Sequence, residues 1–145
     1  MHSPEKNRIY TAIGLMSGTS LDGIDAALIR TDGQDYATAE GFVCLPYDPD
    51  LRDILRDSLG QTQDENGKIA RIARDLTLAH ADTVRELLAE TGVKAEEIDL
   101  IGFHGHTLTH DPDRHFTWQI GDGGLLAQET GIDVVCDFRS NDVKA

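Results

Sequence analysis

From Ile9 to Met16 the chain is almost continuously apolar, with β-branched and aromatic members, and it then breaks into Ser17-Gly18-Thr19-Ser20. A short apolar run bounded by small polar residues predicts a buried strand leaving into a tight loop. Ile24 to Thr31 and Glu40 to Pro46 repeat the pattern around the turn Asp32-Gly33, so an antiparallel meander of three strands is expected. The period then lengthens. Leu51, Ile54, Leu55 and Leu59 share one helical face, behind an Asp48 N-cap with Pro49 at the first helical position and ahead of Gly60 as the stop. Ile69, Ile72, Ala73, Leu76, His80, Thr83, Val84 and Leu87 form a second stripe, which predicts a helix from about Gly67 to Glu90 closed by Gly92. His80 falls on that stripe, so an interior histidine with its polar atoms satisfied is expected.

Ile98 to Phe103 returns to a strand pattern and ends in His104-Gly105-His106-Thr107. The turn Asp111-Pro112-Asp113 precedes a short strand, Phe116 to Ile120. Gly121-Asp122-Gly123-Gly124 opens a helix through Thr130, Gly131 closes it, and Ile132 to Phe138 is a last strand. This order predicts an α/β domain over residues 9–145, behind a flexible stretch of residues 1–8. Its mixed sheet has three antiparallel strands, then parallel ones joined by right-handed crossovers, with helices on its faces. The residues from Arg139 to Ala145 carry no helical pattern, whereas parallel strands are normally covered on both faces. One face without its cover, an incomplete domain and self-association through that face are therefore expected.

Charge narrows the partners. Among 145 residues 26 are acidic and 13 basic, a net charge of −13 with histidines neutral, and no third of the chain is basic. Nucleic acid and anionic membrane surfaces are excluded as broad electrostatic partners, because both need a basic face. A small anion still has a route to binding, through backbone N–H groups. Cys44 and Cys136 lie in apolar strand-like runs without a C-x-x-C partner, and two reduced buried thiols are expected. With neither a signal peptide at the N-terminus nor an apolar run near the roughly 18 residues of a membrane span, a cytoplasmic protein is expected.

Several segments could carry chemistry. Met16 to Asp25 places two glycines and three hydroxyl residues between strands. Such a loop can present several N–H groups to a phosphate, or serve as an ordinary Gly/Ser/Asp turn. It holds no lysine and is no Walker A loop. Asp22 and Asp25 could hold Mg²⁺ directly or through water. His104, His106, His110 and His115, with Asp111 and Asp113 nearby, could ligate zinc in a metal-dependent hydrolase. Leu108, however, stands where the H-x-H-x-D-H spacing needs aspartate. The other reading is a glycine-hinged loop at the sheet's carboxyl edge, where His104 and Thr107 offer hydrogen bonds to a polar ligand. Gln119-Ile120-Gly121-Asp122 precedes a helix, so Asp122 is a cap or a ligand contact. Arg139, in Asp137-Phe138-Arg139, could clamp a carboxylate or phosphate, or pair with Asp137 or Asp142.

Taken in order, Met-Ser-Gly-Thr-Ser-Leu-Asp-Gly-Ile-Asp (16–25), Gly-Phe-His-Gly-His-Thr (102–107), Gln-Ile-Gly-Asp (119–122), Glu-Thr-Gly-Ile (129–132) and Asp-Phe-Arg-Ser-Asn-Asp (137–142) resemble the anhydro-N-acetylmuramic acid kinase family over residues 8–145. The resemblance implies the actin/hexokinase/Hsp70-like ATPase superfold, with two ribonuclease-H-like domains around a cleft. It implies an enzyme of cell-wall recycling that uses ATP and water to open the anhydro ring of a peptidoglycan-derived amino sugar and phosphorylate its C6 oxygen. Gly18, Thr19, Ser20, Leu21, Asp22, Gly23, Ile24 and Asp25 then become the ATP-binding segment, with Asp22 toward Mg²⁺. Ser17, His104, Thr107, Gln119, Asp122 and Arg139 fall around the sugar cleft. The chain departs from the family at His106, where the pattern has glutamine. It also departs in length, since family members run to more than twice this size. The family's general-base aspartate lies in an Asp-Thr-Gly-Pro-Gly-Asn segment that these residues do not contain, so that base is expected beyond Ala145. The resemblance thus implies the N-terminal portion of a kinase, without its catalytic base or second domain. A non-catalytic phosphate- and sugar-binding module of the same fold is the alternative.

Overall fold

A computed structural model describes residues 8–18, 21–64 and 66–136. Three strands come first: β1 (Tyr10–Ser17), β2 (Ile24–Thr31) and β3 (Ala37–Leu45). Two helices follow, α1 (Pro49–Ser58) and α2 (Lys68–Thr91). Then come β4 (Leu100–Phe103), β5 (His106–Asp111), β6 (Phe116–Ile120), α3 (Gly123–Thr130) and β7 (Val134–Cys136). The main sheet runs β3-β2-β1-β4-β7, and β5 pairs with β6 in a separate ribbon. β1 to β3 are antiparallel, while β1 with β4 and β4 with β7 are parallel, as the pattern predicted.

Strand parity decides what is inside. Ile13 and Leu15 of β1, Ala26 and Leu28 of β2, Val43 of β3, and Ile101 and Phe103 of β4 all turn to one face and are buried there. Leu76, Val84 and Leu87 of α2, with Leu55 of α1 and Leu126 of α3, complete that layer. Each such fully buried side chain contributes roughly 1.5–3 kcal/mol of transfer free energy. α1 starts as read, with Pro49 first and the Asp48 carboxylate accepting from the Asp50 N–H. α2 lacks a capping side chain at Gly67. The Asp64 carboxylate supplies that function from upstream, accepting the N–H groups of Ile69 at 2.8 Å and Ala70 at 3.1 Å.

The opposite face carries no helix among the described residues, which corrects the expectation of helices on both faces and bears out that of an uncovered one. Met16 is 60% exposed and Phe42 62%, and Val135 is exposed on the same face at the far edge of the sheet. Ala27, Gly14 and Gly102 stand in register across β2, β1 and β4 and floor a shallow apolar groove there. Cys44 shares that face with Phe42, and Cys136 ends β7. Both thiols are exposed, against expectation. An unbroken apolar strand reads as buried on both sides, and here it is buried on one. β3 also begins earlier than read, at Ala37, because Asp32 accepts from the Gln34 and Tyr36 N–H groups and aligns a polar, exposed stretch with the end of β2. The expected domain boundary at Ala145 and the last strand's continuation to Phe138 lie outside the described residues. No helix among the described residues is long and apolar enough to cross a membrane.

Candidate functional site

The parallel strands β1, β4 and β7 end level with one another, Leu15 beside Phe103 and Phe103 beside Cys136. Their carboxyl ends therefore release the loops at 18–23 and 104–105 at one edge of the sheet, the usual ligand crevice of open α/β sheets. The loop at 121–122, between β6 and α3, joins them there. A cavity of about 130 Å³ opens at this edge, lined by Phe103, His104, Gly105, Gln119, Ile120, Gly121, Gly123 and Cys136. Two glycines make it by close approach. A Cβ on Gly105, whose φ is +73°, would run into the Ile120 carbonyl, and one on Gly121 would lie 2.7 Å from the Phe103 ring.

The sequence candidates divide on this geometry. His104 and Gln119 line the cavity, and the Gln119 side-chain amide donates to Thr107 Oγ1 at 3.2 Å, so Thr107 orients Gln119. Asp122 does not line it. Its carboxylate caps α3 by accepting the Leu125 N–H at 3.0 Å, and its own N–H donates to Thr77 Oγ1 at 3.0 Å. Of the two readings open for Asp122, the cap is the one formed here. Ser17, placed by resemblance near the sugar, is buried. Its Oγ shares a hydrogen bond with the Tyr47 hydroxyl and lies 3.0 Å from His106 Nδ1. Thr19, Ser20 and Arg139 lie outside the described residues, as does Ala145, beyond which the general-base aspartate is expected.

In the first loop, Leu21 donates its N–H to the Gly18 carbonyl at 3.1 Å and closes a turn. Leu21 adopts a left-handed φ of 59° with its side chain 1% exposed, so burial of the leucyl group holds a strained backbone in place. Ile24 is equally buried, and Leu21 and Ile24 can offer a ligand only backbone groups. Gly23 is needed for packing, because a Cβ there would lie 2.7 Å from the Leu45 carbonyl. Asp22 is exposed. Asp25 belongs to β2 rather than to the loop, and it hydrogen-bonds Cys44 on the uncovered face. That bond, with partial burial and the charges of Asp25 and Asp22, pushes the Cys44 thiol up, so both carboxylates act on the same neighbourhood.

Behind the cavity lies a set of neutral imidazoles. His80 Nδ1 is 2.8 Å from the Leu76 carbonyl and its ring meets Phe103 edge to face at 4.9 Å, which bears out the interior histidine. Burial drives its pKa down to about 4, with His104 and His106 adding repulsion. His106 is lowered by burial first and by His104 next. The histidines do not converge on a metal, and among the described residues no three His, Cys, Asp or Glu side chains could hold one. Gly105 turns the chain between His104 and His106, sending one to the cavity and the other inward to Ser17. The zinc-hydrolase alternative loses its ligand set.

Comparison with known proteins fits this arrangement. A family model described as anhydro-N-acetylmuramic acid kinase matches residues 10–145. The chain belongs to the anhydro-N-acetylmuramic acid kinase family. It is 50% identical over 134 residues to the anhydro-N-acetylmuramic acid kinase of Paramagnetospirillum magneticum, covering 92% of this chain and 37% of that protein. With the anhydro-N-acetylmuramic acid kinase of Agrobacterium fabrum it shares 48% over 141 residues, 93% of this chain and 38% of that one. The chain thus spans well under half the length of these relatives. Tyr47 and Thr77 gave no sequence signal of their own, because each acts through a partner far along the chain.

Proposed function

We propose that these residues form the nucleotide- and sugar-binding portion of an ATP-dependent kinase that opens 1,6-anhydro-N-acetylmuramic acid and phosphorylates its C6 oxygen, in cytoplasmic peptidoglycan recycling. The observation carrying the proposal is that residues 103–105 and 119–121, distant in sequence, line one cavity at the carboxyl edge of β1, β4 and β7, where β1 ends at Ser17 within 3.0 Å of His106. The strand order, with three antiparallel strands and β1 at the centre, supports a ribonuclease-H-like domain of the actin-like ATPase superfold. On this reading residues 9–145 form the first of two domains.

In this reading the backbone of Gly18 to Asp25 takes the phosphates. Asp22, exposed beside Asp25, supplies a carboxylate for Mg²⁺, which takes one or two carboxylates together with phosphate and water. The donor set fits that ion, hard oxygens without a closed cage. ATP would supply the phosphoryl group, and Mg²⁺ would neutralise charge on it. His104, with Gln119 and Thr107 oriented by their mutual hydrogen bond, would position sugar hydroxyls, and Arg139 would join them. The Asp-Thr-Gly-Pro-Gly-Asn segment does not occur between Met1 and Ala145. We therefore assign the chain on its own to binding, with no turnover.

The test is an amide NMR titration with Mg-ATP and, separately, with the anhydro sugar. Saturable shifts at Gly18 to Asp25 with nucleotide, and at His104, Gly105, Gln119 and Gly121 with sugar, are expected. Shifts confined elsewhere, or none with either ligand at millimolar concentration, would overturn the proposal.

A further inference from the structure

The Ser17–Tyr47–His106 cluster joins three segments that no main-chain pairing connects. Ser17 is the last residue of β1 and directly precedes Gly18. Tyr47 lies between β3 and α1, and His106 opens β5 one residue after the cavity-lining Gly105. All three side chains are buried, at 4%, 6% and 0% exposure. Ser17 Oγ is the hub, bonded to the Tyr47 hydroxyl on one side and lying 3.0 Å from His106 Nδ1 on the other. The far nitrogen of the ring, His106 Nε2, is enclosed and has no hydrogen-bond partner among the described residues.

That orphan nitrogen is the informative detail. An apolar side chain of similar volume would fill the space without desolvating a polar atom, so the imidazole is a poor choice for stability alone. What it adds is a directional contact from Nδ1 to the residue where the first loop begins. We propose that His106 is a positioning residue that fixes the carboxyl end of β1 at Ser17 relative to the 104–107 segment, with Tyr47 as the third anchor. Its consequence for ligand binding rests on the function proposed above; the mechanical linkage does not.

The linkage has a chemical signature. A neutral imidazole is a donor at one nitrogen and an acceptor at the other, so the Ser17 contact fixes which nitrogen carries the proton. Just beyond Ser17, Leu21 with its left-handed φ supplies a reporter, because its N–H donates to the Gly18 carbonyl. Releasing Ser17 lets that hydrogen bond open without unfolding the sheet.

The experiment compares Leu21 amide exchange with that of the α2 amides around Leu76 in the wild-type chain and in His106→Leu, His106→Asn and Tyr47→Phe, and reads the side-chain nitrogen shifts of His106. In His106→Leu the Leu21 amide should exchange about tenfold faster, the scale of one lost hydrogen bond, while α2 amides keep their rates. Asparagine carries a polar atom near the Nδ1 position, so His106→Asn should recover most of the protection. Tyr47→Phe removes a single oxygen and serves if His106→Leu fails to fold; it should loosen Leu21 in the same direction. In Ser17→Ala the His106 nitrogens should change from one tautomer to a mixture. Unchanged Leu21 exchange in both His106→Leu and Tyr47→Phe, or equal acceleration at Leu21 and α2, would overturn the proposal. If the wild-type chain shows no Mg-ATP shifts, the functional reading fails, while Leu21 exchange still decides the linkage.

Discussion

His80 makes the acid stability of this domain a measurement of one buried ring. The imidazole is 1% exposed, its Nδ1 is held at the Leu76 carbonyl, and Phe103, His104 and His106 surround it. Burial lowers its pKa from 6.5 to about 4, so between those values the unfolded chain binds a proton that the folded chain refuses. Stability from this group is therefore complete above about pH 6.5 and is lost progressively as pH falls toward 4. The whole gap amounts to about 3 kcal/mol, at about 1.4 kcal/mol per pH unit. Between about pH 7.5 and pH 5 the loss is about 2 kcal/mol. Urea unfolding followed by the fluorescence of Trp118, the single tryptophan, gives this slope directly. In His80→Leu the slope from this group should vanish, whatever the variant's absolute stability, while the same-direction contribution of His106 remains. An identical pH slope in wild type and His80→Leu would refute the reasoning.

Gly105→Ala should destabilise by more than about 2 kcal/mol in the same assay, against about 1 kcal/mol for Gly33→Ala. Both glycines have positive φ, but only at 105 does the new methyl meet backbone, the Ile120 carbonyl. Cys44 and Cys136 should both react with a thiol reagent in the folded protein, and Asp25→Asn should speed the reaction at Cys44 by removing the carboxylate that holds its thiol protonated. Phe42→Glu should shift the chain toward monomer in sedimentation velocity, because it places charge on the uncovered face; a wild-type chain already monomeric at high concentration would count against that use of the face.

Periodicity carried most of the fold because the elements are locally encoded. The stripe from Ile69 to Leu87, the Asp48-Pro49 start and the Gly92 stop each follow from residues a few positions apart. What escaped was non-local. Met16, Phe42 and Cys44 are as apolar as their buried neighbours, and what distinguishes them is that no helix among the described residues packs on their face. Asp64 capped α2 from upstream of Gly67, and Ala37 to Ala39 joined β3 through hydrogen bonding rather than hydrophobicity. In the site, the motifs marked the loops correctly as edges of strands, but side-chain roles depended on distant partners. Ser17 turned inward because Tyr47 and His106 stand behind it, whereas the Asp122 cap, one of its two readings, is local and was legible.

The central place of β1 has a consequence for biosynthesis. Its antiparallel edge pairs with β2 within a few residues, but its parallel edge waits for β4, and the Thr11 N–H finds the Asp99 carboxylate 88 residues later. On a ribosome the three-strand meander can therefore close early, while the free edge of β1 stays unpaired until two helices and β4 have emerged. Such late, long-range parallel pairing slows folding and leaves a sticky strand edge exposed meanwhile. Codon choice and chaperone supply during synthesis of residues 46–103 should thus influence the yield of native protein more than they would for residues 9–45.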